Sequence, residues 1–190
     1  EWLSEIIFLD RDRVEVKFLN KMKESSKPSN IELAICLVKK NPMEIILQKA
    51  TELGVSRITP IISERTEVKE LNYERAQKIV IEATEQSNQL NPPEVTKVIK
   101  LKDFLEKLDS GSKFLFADVN SQNNLQKKDV DGDALKIILI GPEGDFSPGE
   151  RESILAKANT TSFSISKNIL RSDTAVISAI SLVNFINNLH

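Results

Sequence analysis

Apolar positions along the chain alternate between two periods. IELAICLV (31–38) is almost continuously apolar, the pattern of a strand covered on both faces. Met43, Ile46, Leu47, Ala50 and Leu53 then recur at helical spacing. Asn41 is placed to cap that helix, Pro42 suits its first position, Glu44 can close a capping box and Gly54 can end it. SRITPIIS (56–63) is strand-like again, and Pro60 predicts an edge or a bulge there. A long helix over 72–89 runs into Pro92-Pro93, which stops it. A short strand EVTKVI, a short helix over 103–108 and the strand KFLFADV (113–119) come next. The polar stretch NSQNNLQKKDVDGD reads as a loop. Its DVDGD is not a calcium loop, because the twelfth position from Asp129 is Ile140 rather than an acid. Such alternation predicts an α/β domain, a parallel sheet with helices on both faces. Ligands of such sheets sit beyond the carboxyl ends of the strands.

Two such ends lie near the C-terminus. LKIILI stops at Gly141-Pro142-Glu143-Gly144, and Ser147-Pro148-Gly149-Glu150 is a capping box with proline at the first helical position. A helix starting there offers free N–H groups, and Gly141 and Gly144 permit unusual backbone shapes or close approach of a ligand. A tight turn with no ligand fits the spacing equally well. Neither a phosphate loop nor a dinucleotide turn matches. The second corner is TSFSIS followed by KNILR, with Ser172 as the expected cap and Asp173 in the first turn. The helix after it carries Val176, Ile177, Ala179, Ile180, Leu182, Val183, Phe185 and Ile186, apolar on nearly every side. It must be buried in the core or against a second subunit.

The N-terminal stretch adds little core. Residues 1–20 read as two short strands around LDRDR, too small to stand alone, and 21–30 as a polar linker. The 190 residues suffice for one well-buried domain with something small attached. The net charge of −2 and a pI near 5.6 argue mildly against a nucleic-acid partner. One cysteine, Cys36 within an apolar run, excludes a disulfide framework and reads as a buried hydrophobe in a reducing cytoplasm. One histidine, His190, leaves no Ser-His-Asp arrangement and no His-rich metal site, so no metal is expected. Chemistry must run on Arg, Lys, Glu, Asp, hydroxyls and backbone. No apolar run approaches the ~20 residues of a membrane span, so no membrane contact is expected.

KATELGV, SERT, EATEQS, LIGPEGDFSPGE and NILRSDTA, in this order, resemble the bacterial 16S ribosomal RNA uridine N3-methyltransferases of the SPOUT superfamily. The resemblance spans residues 31–190. It implies a trefoil-knotted SPOUT methyltransferase domain over 28–190, working as a cytoplasmic homodimer. It also implies that 1–27 is the last part of a PUA-like β-barrel plus linker, most of that barrel being absent. S-adenosyl-L-methionine is the implied cofactor, held mostly by backbone between the two corners. Its contacts would be Leu139, Ile140, Gly141, Pro142, Glu143, Gly144, Ile165, Ser166, Asn168, Ile169, Leu170 and Ser172. Arg171 would carry catalysis with Glu143 beside it, and Lys49, Arg65 and Lys167 would contact 16S rRNA in the small ribosomal subunit. A relative acting on tRNA or 23S rRNA, or a non-catalytic RNA- or ribosome-binding protein of the same fold, is the alternative. Departures from the family pattern are Asp145 and Ser166 where glycines are common, Gln89 and Asn168 where arginines are common, and Asp173 in place of a frequent Glu.

Overall fold

The computed structural model describes residues 1–24 and 29–188. The middle of the expected linker, the boundary between 27 and 28, and His190 lie outside the described residues. Four strands carry the centre: β3 (Ile31–Cys36), β4 (Arg57–Ile62), β7 (Lys113–Ala117) and β8 (Lys136–Ile140). The short β5 (Glu94–Val95), β6 (Ile99–Lys100) and β9 (Thr160–Phe163) complete a parallel sheet of order β5-β4-β3-β8-β7-β9, with β6 also on β4. Leu115, Ile138, Leu33 and Ile58 form one row across it, all with 0% exposure. Each such side chain contributes roughly 1.5–3 kcal/mol by leaving water, which explains the near-continuous apolar runs.

Side chains alternate between the two faces. Leu33, Ile58, Leu115 and Ile138 pack against α1 (Lys40–Glu52), α2 (Tyr73–Gln86) and α6 (Ser172–Asn187). Ala34, Phe116 and Leu139 pack against α3 (Leu101–Glu106), α5 (Pro148–Leu155) and Phe146 on the other. Helices therefore cover both faces, as expected. Pro60 lies inside the sheet rather than at its edge: β5 pairs with β4 at 57–58 and β6 at 61–62. The interruption between those two strands falls opposite Thr59 and Pro60, where a missing N–H costs no ladder bond.

Several helix ends differ from the expected ones. α1 begins at Lys40 with no side-chain cap, and Asn41 and Pro42 sit within its first turn. Pro42 is tolerated there because first-turn N–H groups have no partner inside the helix. Glu44 turns instead to Arg75 on α2, whose Nη2 donates to it at 2.9 Å. Gly54 ends α1 as expected, with φ +82. Gln89 donates from Nε2 to the Thr51 carbonyl at 2.7 Å, satisfying the last turn of the same helix. It is a structural cap. Within the polar loop of 120–133 the chain forms one turn of helix, α4 (Lys127–Val130), closed by a Gln126–Asp129 capping box. α6 buries Val176, Ala179, Ile180 and Val183 completely but leaves Phe185 65% exposed, so it is not covered all round. Asn184 on α6 donates to the Leu53 carbonyl at 2.9 Å, tying α6 to the end of α1.

The N-terminal β1 (Trp2–Leu9) and β2 (Val14–Lys21) form an antiparallel hairpin separate from the sheet. Its apolar residues are exposed on both faces, among them Leu3, Ile6, Ile7 and Phe18. Ladder bonds hold it, with little burial. No helix among the described residues is long and apolar enough to cross a membrane.

One buried charge joins three elements. The Asp118 side chain has 0% exposure and accepts from Arg151 Nη2 of α5 at 2.6 Å. It also accepts from Ser162 Oγ of β9 at 3.1 Å and from the Asn120 N–H at 2.9 Å. Burial pushes its pKa up, but those hydrogen bonds and the Arg151 charge outweigh it and hold the carboxyl below the usual range. Its folded pKa therefore lies below its unfolded one, so its stabilisation is fully present above about pH 4 and fades as pH falls through the folded value. Asp118→Asn should unfold about 2 kcal/mol more easily than wild type at pH 7. In urea titrations repeated down the pH scale, that gap should close below about pH 4; a gap independent of pH would refute the charged pairing.

Candidate functional site

β8, β7 and β9 are neighbours, and Ile140, Ala117 and Phe163 lie in register at their carboxyl ends. The loops that leave these three strands must therefore meet beyond the sheet edge. The three continuations, 117–119, 141–145 and 165–170, with the start of α6, enclose a cavity of about 340 Å³. That volume is in the range of small-molecule sites.

The first wall is the turn after β8. The Asp145 N–H donates to the Pro142 carbonyl at 3.0 Å, closing a turn over Glu143 and Gly144. The unusual backbone shape expected of the glycines is carried by the next residue: among the described residues φ is positive at Asp145 (+59) and not at Gly141 or Gly144. An aspartate tolerates that region when its side chain bonds locally. Here its carboxylate accepts from the Phe146 N–H at 2.7 Å and from Asn120 Nδ2 at 3.3 Å. Gly141 is needed for space, because a Cβ there would meet the Phe146 ring at 3.0 Å. Arg65 lies across Gly144 and donates from Nη1 to its carbonyl at 2.9 Å. Behind the turn, Ser147 and Glu150 form the expected capping box, and the second Glu150 oxygen accepts from the Glu64 N–H at 2.8 Å.

The second wall is the loop after β9. Ser166 Oγ accepts from the Asn168 N–H at 3.0 Å and the Ser166 carbonyl accepts from Ser164 Oγ at 3.1 Å, so this serine shapes its own loop. α6 starts at Ser172, and Arg171 is its N-cap residue without a side-chain cap bond. Ser172 is thus the first helical residue rather than the cap.

Ile140, Gly141, Pro142, Glu143, Gly144, Ile165, Ser166, Asn168, Ile169, Leu170 and Ser172 line this one cavity. Leu139 does not: it is fully buried in β8, packed with Phe116 and Phe146 on the α5 face. Arg171 is exposed and stands between two lining residues, Leu170 and Ser172, without itself lining the cavity. Arg65 borders an adjoining hollow of about 330 Å³ with Asn120, Asp145, Phe146, Pro148 and Arg151. Lys49 is drawn to Glu52 on its own helix at 2.8 Å, and Lys167 is exposed on the loop. Ala117, Asp118, Val119, Asp145 and Ala175 also line the cavity; the sequence names none of them as a contact and marks Asp145 only as a departure from the family pattern. The strand-end rule, applied to KFLFADV as to LKIILI, points to the first three.

The charge pattern is one-sided. Asp118, Glu143 and Asp145 line the cavity, and among the described residues no lysine or arginine does. Arg151 neutralises Asp118 from outside. Apolar side chains, with the exposed Glu143 carboxylate and the half-buried Asp145 at the edge, suit a ligand that is partly apolar and positively charged. Cys36 is fully buried in the sheet, and that burial pushes its thiol up to about 12 despite hydrogen bonds with Ser63 and Thr66 that lower it, so it is a poor nucleophile.

The family model described as an RNA methyltransferase domain matches residues 24–184. The ribosomal RNA small subunit methyltransferase E of Rickettsia conorii is 32% identical, over 99% of this chain and 78% of its own. That of Aquifex aeolicus is 33% identical over 93% and 78%. Among solved structures, a ribosomal RNA small subunit methyltransferase E from Neisseria gonorrhoeae, bound to S-adenosyl methionine, superposes with a TM-score of 0.86 at 30% identity. It covers 97% of this chain and 78% of its own. With more than four fifths of its length inside the matched region, the chain belongs to the RNA methyltransferase domain family, among the ribosomal RNA small subunit methyltransferases E.

Proposed function

We propose that the chain methylates N3 of a uridine in the 16S ribosomal RNA of the small subunit, using S-adenosyl-L-methionine. The observation that carries this reading is the strand-end cavity, walled by the loops after three neighbouring strands and edged by Glu143 and Asp145, with no lysine or arginine among the described residues lining it. Its size and sign fit a cationic methyl donor, and the Neisseria structure is described as bound to that molecule. Bound there, S-adenosylmethionine supplies a methyl group on a positively charged sulfur.

The chain's own part is to orient and to stabilise. Backbone groups of Ile140–Gly144 and Ile165–Leu170 would fix the donor, and removal of translational freedom supplies up to ~7–11 kcal/mol of a methyl-transfer barrier. N3 of uracil lies between two carbonyls and is a poor nucleophile until its proton leaves. The negative charge that then builds on the carbonyl oxygens needs a positioned cation. Arg171 lies at the rim between Leu170 and Ser172, and its guanidinium, without a hydrogen-bonding partner among the described residues, is free for that task. Glu143, exposed in the turn, would hold a donor group of the cofactor or the base. Arg65 and Lys167 would contact RNA phosphates, whereas Lys49 is largely committed to Glu52.

The same reading takes 28–190 as a trefoil-knotted SPOUT domain and 1–27 as the end of a PUA-like barrel, in a cytoplasmic homodimer. The hairpin's apolar residues, exposed on both faces, support packing against further barrel strands, and exposed Phe185 on α6 supports a second copy.

Three variants separate binding from chemistry. Arg171→Ala should keep its affinity for S-adenosylmethionine and lose about 10²–10³ in methyl transfer to small ribosomal subunits. Calorimetry and transfer of labelled methyl measure the two, and wild-type turnover would remove Arg171 from catalysis. Gly141→Ala pushes a Cβ against the Phe146 ring and should weaken cofactor binding about tenfold, at the low end of overpacking costs. Gly149→Ala, whose Cβ meets nothing within 4 Å, should bind as wild type does. Equal affinities in all three proteins would place the cofactor elsewhere.

A further inference from the structure

Asp118 is linked, directly or through one neighbour, to the elements that carry every wall of the strand-end cavity, while both of its carboxylate oxygens are taken by protein partners. Its backbone N–H donates to the Phe163 carbonyl at 3.0 Å, joining β7 to the last residue of β9 before the 164–170 loop. Its Oδ2 accepts from Ser162 on β9 and from Arg151 on α5, the helix that the Gly141–Asp145 turn leads into. Its Oδ1 accepts from the Asn120 N–H, and the Asn120 side chain in turn donates to Asp145 in that turn. Both carboxylate oxygens are thus occupied, at 0% side-chain exposure. Arg151 Nε is buried without a hydrogen-bond partner among the described residues, so one full donor is sacrificed to place the guanidinium against Asp118. The pair also divides space: Asp118 lines the 340 Å³ cavity and Arg151 lines the adjoining 330 Å³ hollow beside Arg65.

We infer that Asp118 and Arg151 are positioning residues that hold the three loops of the methyl-donor pocket in their binding shape before the donor arrives. This rests on the reading that S-adenosylmethionine occupies that cavity. Loops beyond a sheet edge have few ladder bonds of their own, so their mutual arrangement must be fixed by side chains. A paired, desolvated carboxylate is well suited, because its hydrogen bonds are charge-assisted and directional. A pre-formed pocket spares the donor the cost of ordering it, which appears as affinity.

The test is calorimetric titration of S-adenosylmethionine into wild type, Asp118→Asn, Arg151→Gln, the double variant and Arg151→Lys. Asn184→Ala, which loosens α6 from α1 away from the cavity, serves as a control for general loss of stability. Asp118→Asn and Arg151→Gln should each weaken binding at least tenfold, with the double variant no weaker than the worse single one. Arg151→Lys should fall between wild type and Arg151→Gln, and Asn184→Ala should bind as wild type does despite a lower Tm. Wild-type affinity in both single variants would overturn the inference. So would an equal loss of affinity in Asn184→Ala, since general loosening would then explain everything. Failure of wild type itself to bind would instead sink the cofactor reading.

Discussion

Three parallel strands that end at one level create the constraint from which the site arises. Inside the sheet, β8, β7 and β9 satisfy one another's backbone groups. Beyond Ile140, Ala117 and Phe163 the ladder stops, and the N–H and C=O groups of three loops must find other partners. Some find side chains: Asp118 takes the Asn120 N–H, Asp145 takes the Phe146 N–H and Ser166 takes the Asn168 N–H. Others pair with main chain, the Asp145 N–H with the Pro142 carbonyl and the Ser164 N–H with the Asn123 carbonyl. Together the three loops border one shared hollow. A ligand rich in hydrogen-bonding groups is the natural complement of such a surface, and the parallel order of the sheet is what gathers the three loops in one place.

Much of this is legible in the sequence because burial writes a strong pattern. Continuous apolar runs give β3 and β8 their place in the sheet, and the Ser147–Glu150 box marks the start of α5. The loops after β8 and β9 are paired only through a family resemblance, since spacing alone cannot say that strands 20 residues apart are both neighbours of β7. Side-chain partnership is what the sequence hides. Asn41 and Ser172 are good caps by type, yet both lie inside their helices, because capping depends on where the chain enters the helix and not on residue type alone. Asp118 reads as the polar end of a strand; only the fold brings Arg151 to it, 33 positions away. Gln89, a departure from the arginine that the resemblance implies, is in the fold a cap on α1.

The charges divide the labour. A cavity edged by carboxylates favours a cation, whereas RNA needs positive charge, so the two functions cannot share one surface. Arg65, Arg151 and Arg171 stand just outside the cavity, across or beside its walls, and none lines it. The overall charge of −2 is then no obstacle to RNA contact at the rim, because only the local field matters within a Debye length of about 10 Å.

The central claim, that the loops after β7, β8 and β9 together hold the methyl donor, is most directly tested by hydrogen–deuterium exchange with and without saturating S-adenosylhomocysteine. Exchange should slow in residues 117–119, 140–145 and 164–170 and stay unchanged in the β1–β2 hairpin and along α1. Protection confined to any other part of the chain, or none at all while calorimetry registers binding, would contradict it.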